Sequence, residues 1–143
     1  MTNELIIDAS DTILGRLASF VAKQALLGNK VIVLNCEKAI ISGNTAAILA
    51  DYARKRARGR GSQKGPYFPS LPEMITKRTI RGMLKYKKGR GKEAFKKIRC
   101  YEGIPEQYAA SKAIKIERKT GARMIKTLSL LQLSKLLGKN EEK

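Results

Sequence analysis

The chain has 143 residues, 43% of them hydrophobic, which suits one domain with a modest core. Thirty Lys and Arg against twelve Asp and Glu give a net charge of +18, and His is absent. Self-repulsion at that density calls for an anionic partner, and the lack of His excludes every Ser-His or Cys-His nucleophile.

Leu5-Ile6-Ile7 reads as a short buried strand ending at Asp8. Asp11-Thr12 offers a helix N-cap, and Asp8 with Asp11 is expected to cap that helix rather than to form an acid–base pair. Leu14, Leu17, Ala18, Val21, Ala22 and Ala25 recur at helical spacing, with Arg16, Ser19 and Lys23 opposite, and Gly28-Asn29 stops the run. Val31-Ile32-Val33-Leu34 has no alternation, which predicts a strand buried on both faces of a parallel sheet. Strand, helix and strand in succession make a βαβ unit. Ala39-Ile40-Ile41 is a third short apolar run. Ser42-Gly43-Asn44 punctuates it, and a second helix runs through Ile48, Leu49 and Tyr52 into Arg54-Lys55-Arg56-Ala57-Arg58. Cations suit that C-terminal end, where the helix dipole is negative.

The charge is uneven. Residues 1–50 have no net charge, residues 51–100 carry +14 and residues 101–143 carry +4. A solvated face usually mixes signs, so the middle third reads as a surface built to meet phosphate. In residues 59–72, Gly59, Gly61, Gly65, Pro66, Pro69 and Pro72 surround Arg60 and Lys64, which predicts an extended loop. Ser70-Leu71-Pro72-Glu73 fits a capping box. The helix after it would carry Lys77, Arg78, Arg81 and Lys85 on one side and Leu71, Ile75 and Met83 on the other.

Lys85-Tyr86-Lys87-Lys88-Gly89-Arg90-Gly91-Lys92 reads as a second glycine-broken basic loop. A short helix is expected from Glu93 to Lys97, and a fourth strand from Ile98 to Tyr101, ended by Glu102-Gly103-Ile104-Pro105. Thr127 can cap a final helix carrying Leu130, Leu133 and Leu137 and closed by Gly138.

Little here supports catalysis. Cys36 and Cys100 lie far apart with no partner His, so a zinc site has no basis. They read as small core residues in a reducing cytosol, since no secretory signal or membrane-length apolar run is present. Gly59-x-Gly61-x-x-x-Gly65 is one residue too long for a dinucleotide loop, and Gly89-Arg90-Gly91-Lys92 is followed by Glu93 where a phosphate loop needs Ser or Thr. No cofactor or metal is expected.

RNA binding does have a mechanism. Lys and Arg displace the counterions condensed on a polyanion, and Arg adds planar contact to phosphate. Interspersed glycines let backbone and polymer approach closely. The expected contacts are Arg54, Lys55, Arg56, Arg58, Arg60, Lys64, Lys77, Arg78, Arg81, Lys85, Lys87, Lys88, Arg90, Lys92 and Lys96. Arg78, Arg81 and Arg90 are expected outside the core. Tyr67, Phe68 and Tyr86 either stack on splayed bases or pack the loop roots onto the domain.

Ile7-Asp8-Ala9, Leu14-Gly15-Arg16-Leu17-Ala18, Val31-Ile32-Val33-Leu34-Asn35 and Ile41-Ser42-Gly43-Asn44 together resemble the ribosomal protein L13 family. Gly65-Pro66-Tyr67, Ile80-Arg81-Gly82-Met83-Leu84, Gly91-Lys92-Glu93-Ala94-Phe95 and Tyr101-Glu102-Gly103-Ile104-Pro105 continue the resemblance in order over residues 5–108. It implies an α/β fold: a three-layer α/β/α domain around a small, mostly parallel four-stranded sheet, with basic loop and helix extensions. It also implies a non-enzymatic place on large-subunit rRNA beside other ribosomal proteins, in the cytoplasm.

The compact ends resemble archaeal members. Lys85 stands where the family commonly has Pro, which would let the preceding helix continue. The expected organisation is one domain, with a βαβ-type core at 5–58, basic elements at 59–97 and a final strand and helix at 98–143. The competing readings are a regulatory RNA-binding protein acting off the ribosome and an RNA-modifying enzyme.

Overall fold

The computed structural model describes residues 3–58, 66–116 and 126–138. Strand β1 (Glu4–Asp8) leads through helix α1 (Leu14–Leu26) to strand β2 (Lys30–Leu34). The two strands pair in parallel, from Glu4 opposite Lys30 to Asp8 opposite Leu34, completing the βαβ unit. Strand β3 (Ile40–Ser42) and helix α2 (Thr45–Ala57) follow, then helices α3 (Pro72–Gly82) and α4 (Gly89–Lys96). The chain continues through strands β4 (Ile98–Cys100), β5 (Ile114–Lys115) and β6 (Thr127–Ser129) to helix α5 (Leu130–Gly138).

The main sheet has the order β4-β2-β1-β5, and all its pairings are parallel. The unalternated run in β2 sits between β1 and β4, as a strand covered on both faces must. Val31 and Val33 face the same side as Ile7 and Ile98 and meet the buried stripe of α1, Leu14, Leu17, Ala18, Val21, Ala22 and Ala25. Ile75 and Ile80 of α3, Ala94 of α4, and Leu130, Leu133 and Leu137 of α5 complete that core. Ile32 and Leu34 are buried on the opposite face.

Several local expectations need correction. The Ala39–Ile41 run does not enter the main sheet. β3 instead pairs antiparallel with β6, and the fourth strand of the main sheet is β5. Thr127 therefore lies in a strand. The last helix starts at Leu130, where the Ser129 hydroxyl accepts from the Gln132 backbone N–H at 3.3 Å.

Asp8 and Asp11 do not cap α1, whose N-cap position is Ile13, without a side-chain acceptor. Asp8 instead accepts from the Ser10 N–H (3.0 Å), the Ser10 hydroxyl (2.7 Å) and the Asn35 amide (3.1 Å). Partial burial would raise the Asp8 pKa, but these hydrogen bonds and nearby Lys115 hold it below its ordinary value. Asn44 does cap α2, accepting from the Ala46 N–H at 3.0 Å.

Helix α3 begins after Leu71, not at a Ser70 capping box, with Pro72 in its first turn. Its dry side is Pro72, Ile75, Thr76 and Ile80, whereas Leu71 and Met83 are exposed. It ends at Gly82 despite Lys85, which belongs to the turn that follows. Half of the second expected loop is helical, because Gly89, Arg90, Gly91 and Lys92 open α4.

The two cysteines are free thiols brought together by the pairing of β4 with β2. A hydrogen bond with the Cys36 side chain, then burial, pushes the Cys100 thiol well above its usual range. A thiol in that state is a weak nucleophile.

Candidate nucleic-acid interface

The sequence-predicted cations divide by what holds them. At the end of α2, Arg54 and Lys55 both reach Asp51, at 2.7 and 3.0 Å. Hydrogen bonds from Lys55 and then Arg54 keep the exposed Asp51 carboxyl below its ordinary range. Arg56 turns inward and donates to the Leu137 carbonyl at 2.9 Å, bracing the C-terminal turn of α5. Arg58 is exposed at the C-cap of α2. Arg60 and Lys64 lie outside the described residues, as do Gly59, Gly61 and Gly65.

Helix α3 presents Lys77, Arg78 and Arg81 beside one another. Among the described residues, none of the three is ion-paired; aromatic rings hold them instead. The Arg78 guanidinium lies 3.8 Å from the centroid of Phe68 and donates to the Tyr67 carbonyl at 3.3 Å. Lys77 stands 5.3 Å over Phe95, and Arg81 4.8 Å over Tyr86. The Tyr86 and Phe95 rings are 6.4 Å apart. Lys55 extends the series, 5.2 Å from the Tyr52 ring and 5.9 Å from Phe68.

A carboxylate would both orient and neutralise these groups. A ring orients a cation through its quadrupole and leaves the full positive charge in place. Burial, and then the like charge of Arg81, lower the Arg78 pKa, but an Arg guanidinium stays protonated. Phe68 and Tyr86 thus pack the loop roots and position cations, while Tyr67 remains 65% exposed.

Lys85, Lys87 and Lys88 are exposed in the turn between α3 and α4, with Lys87 6.0 Å from the Tyr86 ring. Lys92 and Lys96 are exposed on α4. Arg90 has an internal duty that its sequence context did not suggest. Its Nε and a terminal nitrogen both donate to the Leu26 carbonyl, at 3.2 and 2.7 Å, closing the end of α1. Gly91 also serves the fold. A Cβ there would stand 2.3 Å from the Lys85 carbonyl oxygen, so the missing side chain admits this protein's own turn.

A cleft of about 490 Å³ runs between residues 67–69, one side of α3, and Phe95. Lys77, Arg78 and Arg81 line it, together with Met74 and Phe95, which the charge pattern of the sequence does not mark. Neither had a signal of its own beyond an apolar residue near basic ones. Among the described residues, no group of three His, Cys, Asp or Glu side chains is placed to hold a metal ion.

Residues 2–107 match the family model described as ribosomal protein L13. The chain is 43% identical over 136 residues to the large ribosomal subunit protein uL13 of Archaeoglobus fulgidus, covering 93% of this chain and 86% of that protein. It is 49% identical over 112 residues to the protein of the same name from Methanosarcina barkeri, covering 78% and 79%. With that of Methanococcus maripaludis it shares 42% over 137 residues, covering 94% and 97%. The chain belongs to the ribosomal protein L13 family.

The L13 match runs from β1 past β4 and so contains every cation of the candidate interface. Several residues that carried the resemblance have structural duties here. Asn44 caps α2, Gly91 seats α4 against Lys85, and Ala94 is buried. Gly103 donates its N–H to the Glu37 carboxylate at 2.8 Å, and its carbonyl accepts from Asn35 at 3.0 Å. The three relatives are archaeal, in keeping with the archaeal type expected of this L13 chain.

Proposed function

We propose that this chain is a structural component of the large ribosomal subunit and binds folded rRNA through its cationic segment, next to other ribosomal proteins. The observation that carries this reading is the row of Lys77, Arg78 and Arg81, held by rings and without an ion pair among the described residues, in a chain whose relatives are named large ribosomal subunit proteins. The contact set is Arg54, Lys55, Arg58, Arg60, Lys64, Lys77, Arg78, Arg81, Lys85, Lys87, Lys88, Lys92 and Lys96. Arg56 and Arg90 belong to it as well, while also closing helix ends.

The role is binding and bracing, with no reaction catalysed and no cofactor, on the cytoplasmic ribosome. Cations provide affinity and position, and carry no base code by themselves. The chain acts as one domain. The support is that α1, α3, α4, α5 and the sheet contribute to one buried cluster.

The test is the salt dependence of binding between the full-length chain and large-subunit rRNA transcripts. Each phosphate contact removed lowers the log–log slope by about 0.7–0.9. Lys77→Gln and Arg81→Gln are each expected to lower it by that amount and to weaken binding. An unchanged slope and affinity for both would overturn this assignment of the surface.

A further inference from the structure

The cleft beside α3 differs from a merely cationic patch. Among the described residues its lining carries three cations and no carboxylate, over a floor of ring and thioether surface. Tyr67 is 65% exposed and Met74 is 46% exposed, so two large apolar side chains stand uncovered at a concave site. The Arg78 hydrogen bond to the Tyr67 carbonyl fixes the chain at the base of that ring. About 490 Å³ lies within the range of small-ligand pockets, roughly 300–1,000 Å³.

A polyanion meeting this cleft can use both of its chemistries at once. Its phosphate satisfies Lys77, Arg78 and Arg81, and its base covers the rings. A base-paired helix cannot enter a concavity with its bases, because they are stacked inside the duplex. An unpaired base can, and stacking on aromatic side chains is the common mode of single-stranded recognition. An acidic peptide would satisfy the cations but leave the exposed ring and thioether without a planar partner.

We propose that this cleft receives one unpaired nucleotide of rRNA, its base against Tyr67 and Met74 and its phosphate on Lys77, Arg78 and Arg81. The proposal rests on the reading of the chain as an rRNA-binding ribosomal protein, and it adds a site where the RNA strand is splayed.

The experiment uses large subunits purified from cells that carry the full-length chain as wild type, Tyr67→Ala or Met74→Trp. The last variant fills the cleft without altering charge. Short-wave ultraviolet irradiation of wild-type subunits, followed by mass spectrometry of this chain, is expected to find a nucleotide attached to Tyr67, Phe68 or Met74. Chemical probing is expected to show the same nucleotide becoming reactive in both variants. With the purified chain and rRNA, Tyr67→Ala is expected to weaken binding roughly 5- to 100-fold, the loss typical of removing one stacking ring.

Three outcomes would overturn the proposal: cross-links on this chain only outside the cleft, variants whose rRNA reactivity matches wild type, or a protein segment cross-linked in the cleft. In each of these the chain is still found in the subunit, so the ribosomal reading stands. Absence of the wild-type chain from the subunit would sink both. If a variant fails to assemble, the wild-type cross-link decides.

Discussion

Gly91→Ala separates a glycine kept for the fold from one kept for RNA. The new Cβ would stand 2.3 Å from the Lys85 carbonyl oxygen, 2.6 Å from its carbon and 2.9 Å from its nitrogen. All three are backbone atoms, so no rotamer change relieves them. Opening the shortest gap to an ordinary 3.4 Å moves α4 or the turn before it by about 1 Å. Overpacking of this kind costs about 1–3 kcal/mol, and backbone against backbone belongs at the upper end. Alanine returns at most about 1 kcal/mol of helix propensity. The expected net loss is about 2 kcal/mol, or a Tm lower by roughly 4–8 °C in a chain of this size. Gly82→Ala is the matched control, because a Cβ there meets nothing within 4 Å. It should be neutral or stabilising by up to about 1 kcal/mol. Urea unfolding of the full-length variants, followed by circular dichroism, measures both. Equal stability of Gly91→Ala and Gly82→Ala would refute the packing role of Gly91.

Arg90→Ala removes both hydrogen bonds to the Leu26 carbonyl, an exposed contact, and is expected to cost about 1 kcal/mol in urea unfolding. Asn44→Ala removes the cap of α2, a helix without a fully buried residue, and should cost about 1 kcal/mol in the same assay. The Asp8 pKa is lowered in the folded chain, so its contribution is present above the unfolded-state pKa and lost as pH falls through the folded value. Asp8→Asn should therefore flatten the acid limb of a stability–pH profile, and an unchanged limb would show that Asp8 is not its source.

What the sequence made legible was set by period and by apolar runs. The stripe of α1 and the unalternated β2 could be read directly, because each buries enough side chain to dictate its own face. The pairing of β3 with β6 could not. Each has three residues, and their partners lie far apart in the chain, as with Ser42 and Thr127. β5 is a two-residue exposed strand, too short to show any alternation. Thr127 carries a capping side chain, but its backbone is taken by the ladder to Ser42.

The site divides in the same way. Composition located the cations of the middle third, because a one-sided charge excess is visible without coordinates. It could not tell Arg81, held over a ring, from Arg90, tied to the end of α1, because the partners come from elsewhere in the chain. Gly91 was misread for a related reason. Its low helix propensity suggested a loop, whereas the constraint on it comes from the Lys85 backbone. Phe68 and Tyr86 admitted two readings, and their contacts with Arg78 and Arg81 favour packing.

The most direct test of the central claim is sedimentation of a lysate on sucrose gradients at low and moderate salt, with this chain followed by immunoblot. The account predicts near-stoichiometric recovery in the large-subunit and ribosome fractions, retained as salt is raised to moderate levels. Recovery mainly at the top of the gradient, with intact subunits lacking the chain, would contradict it.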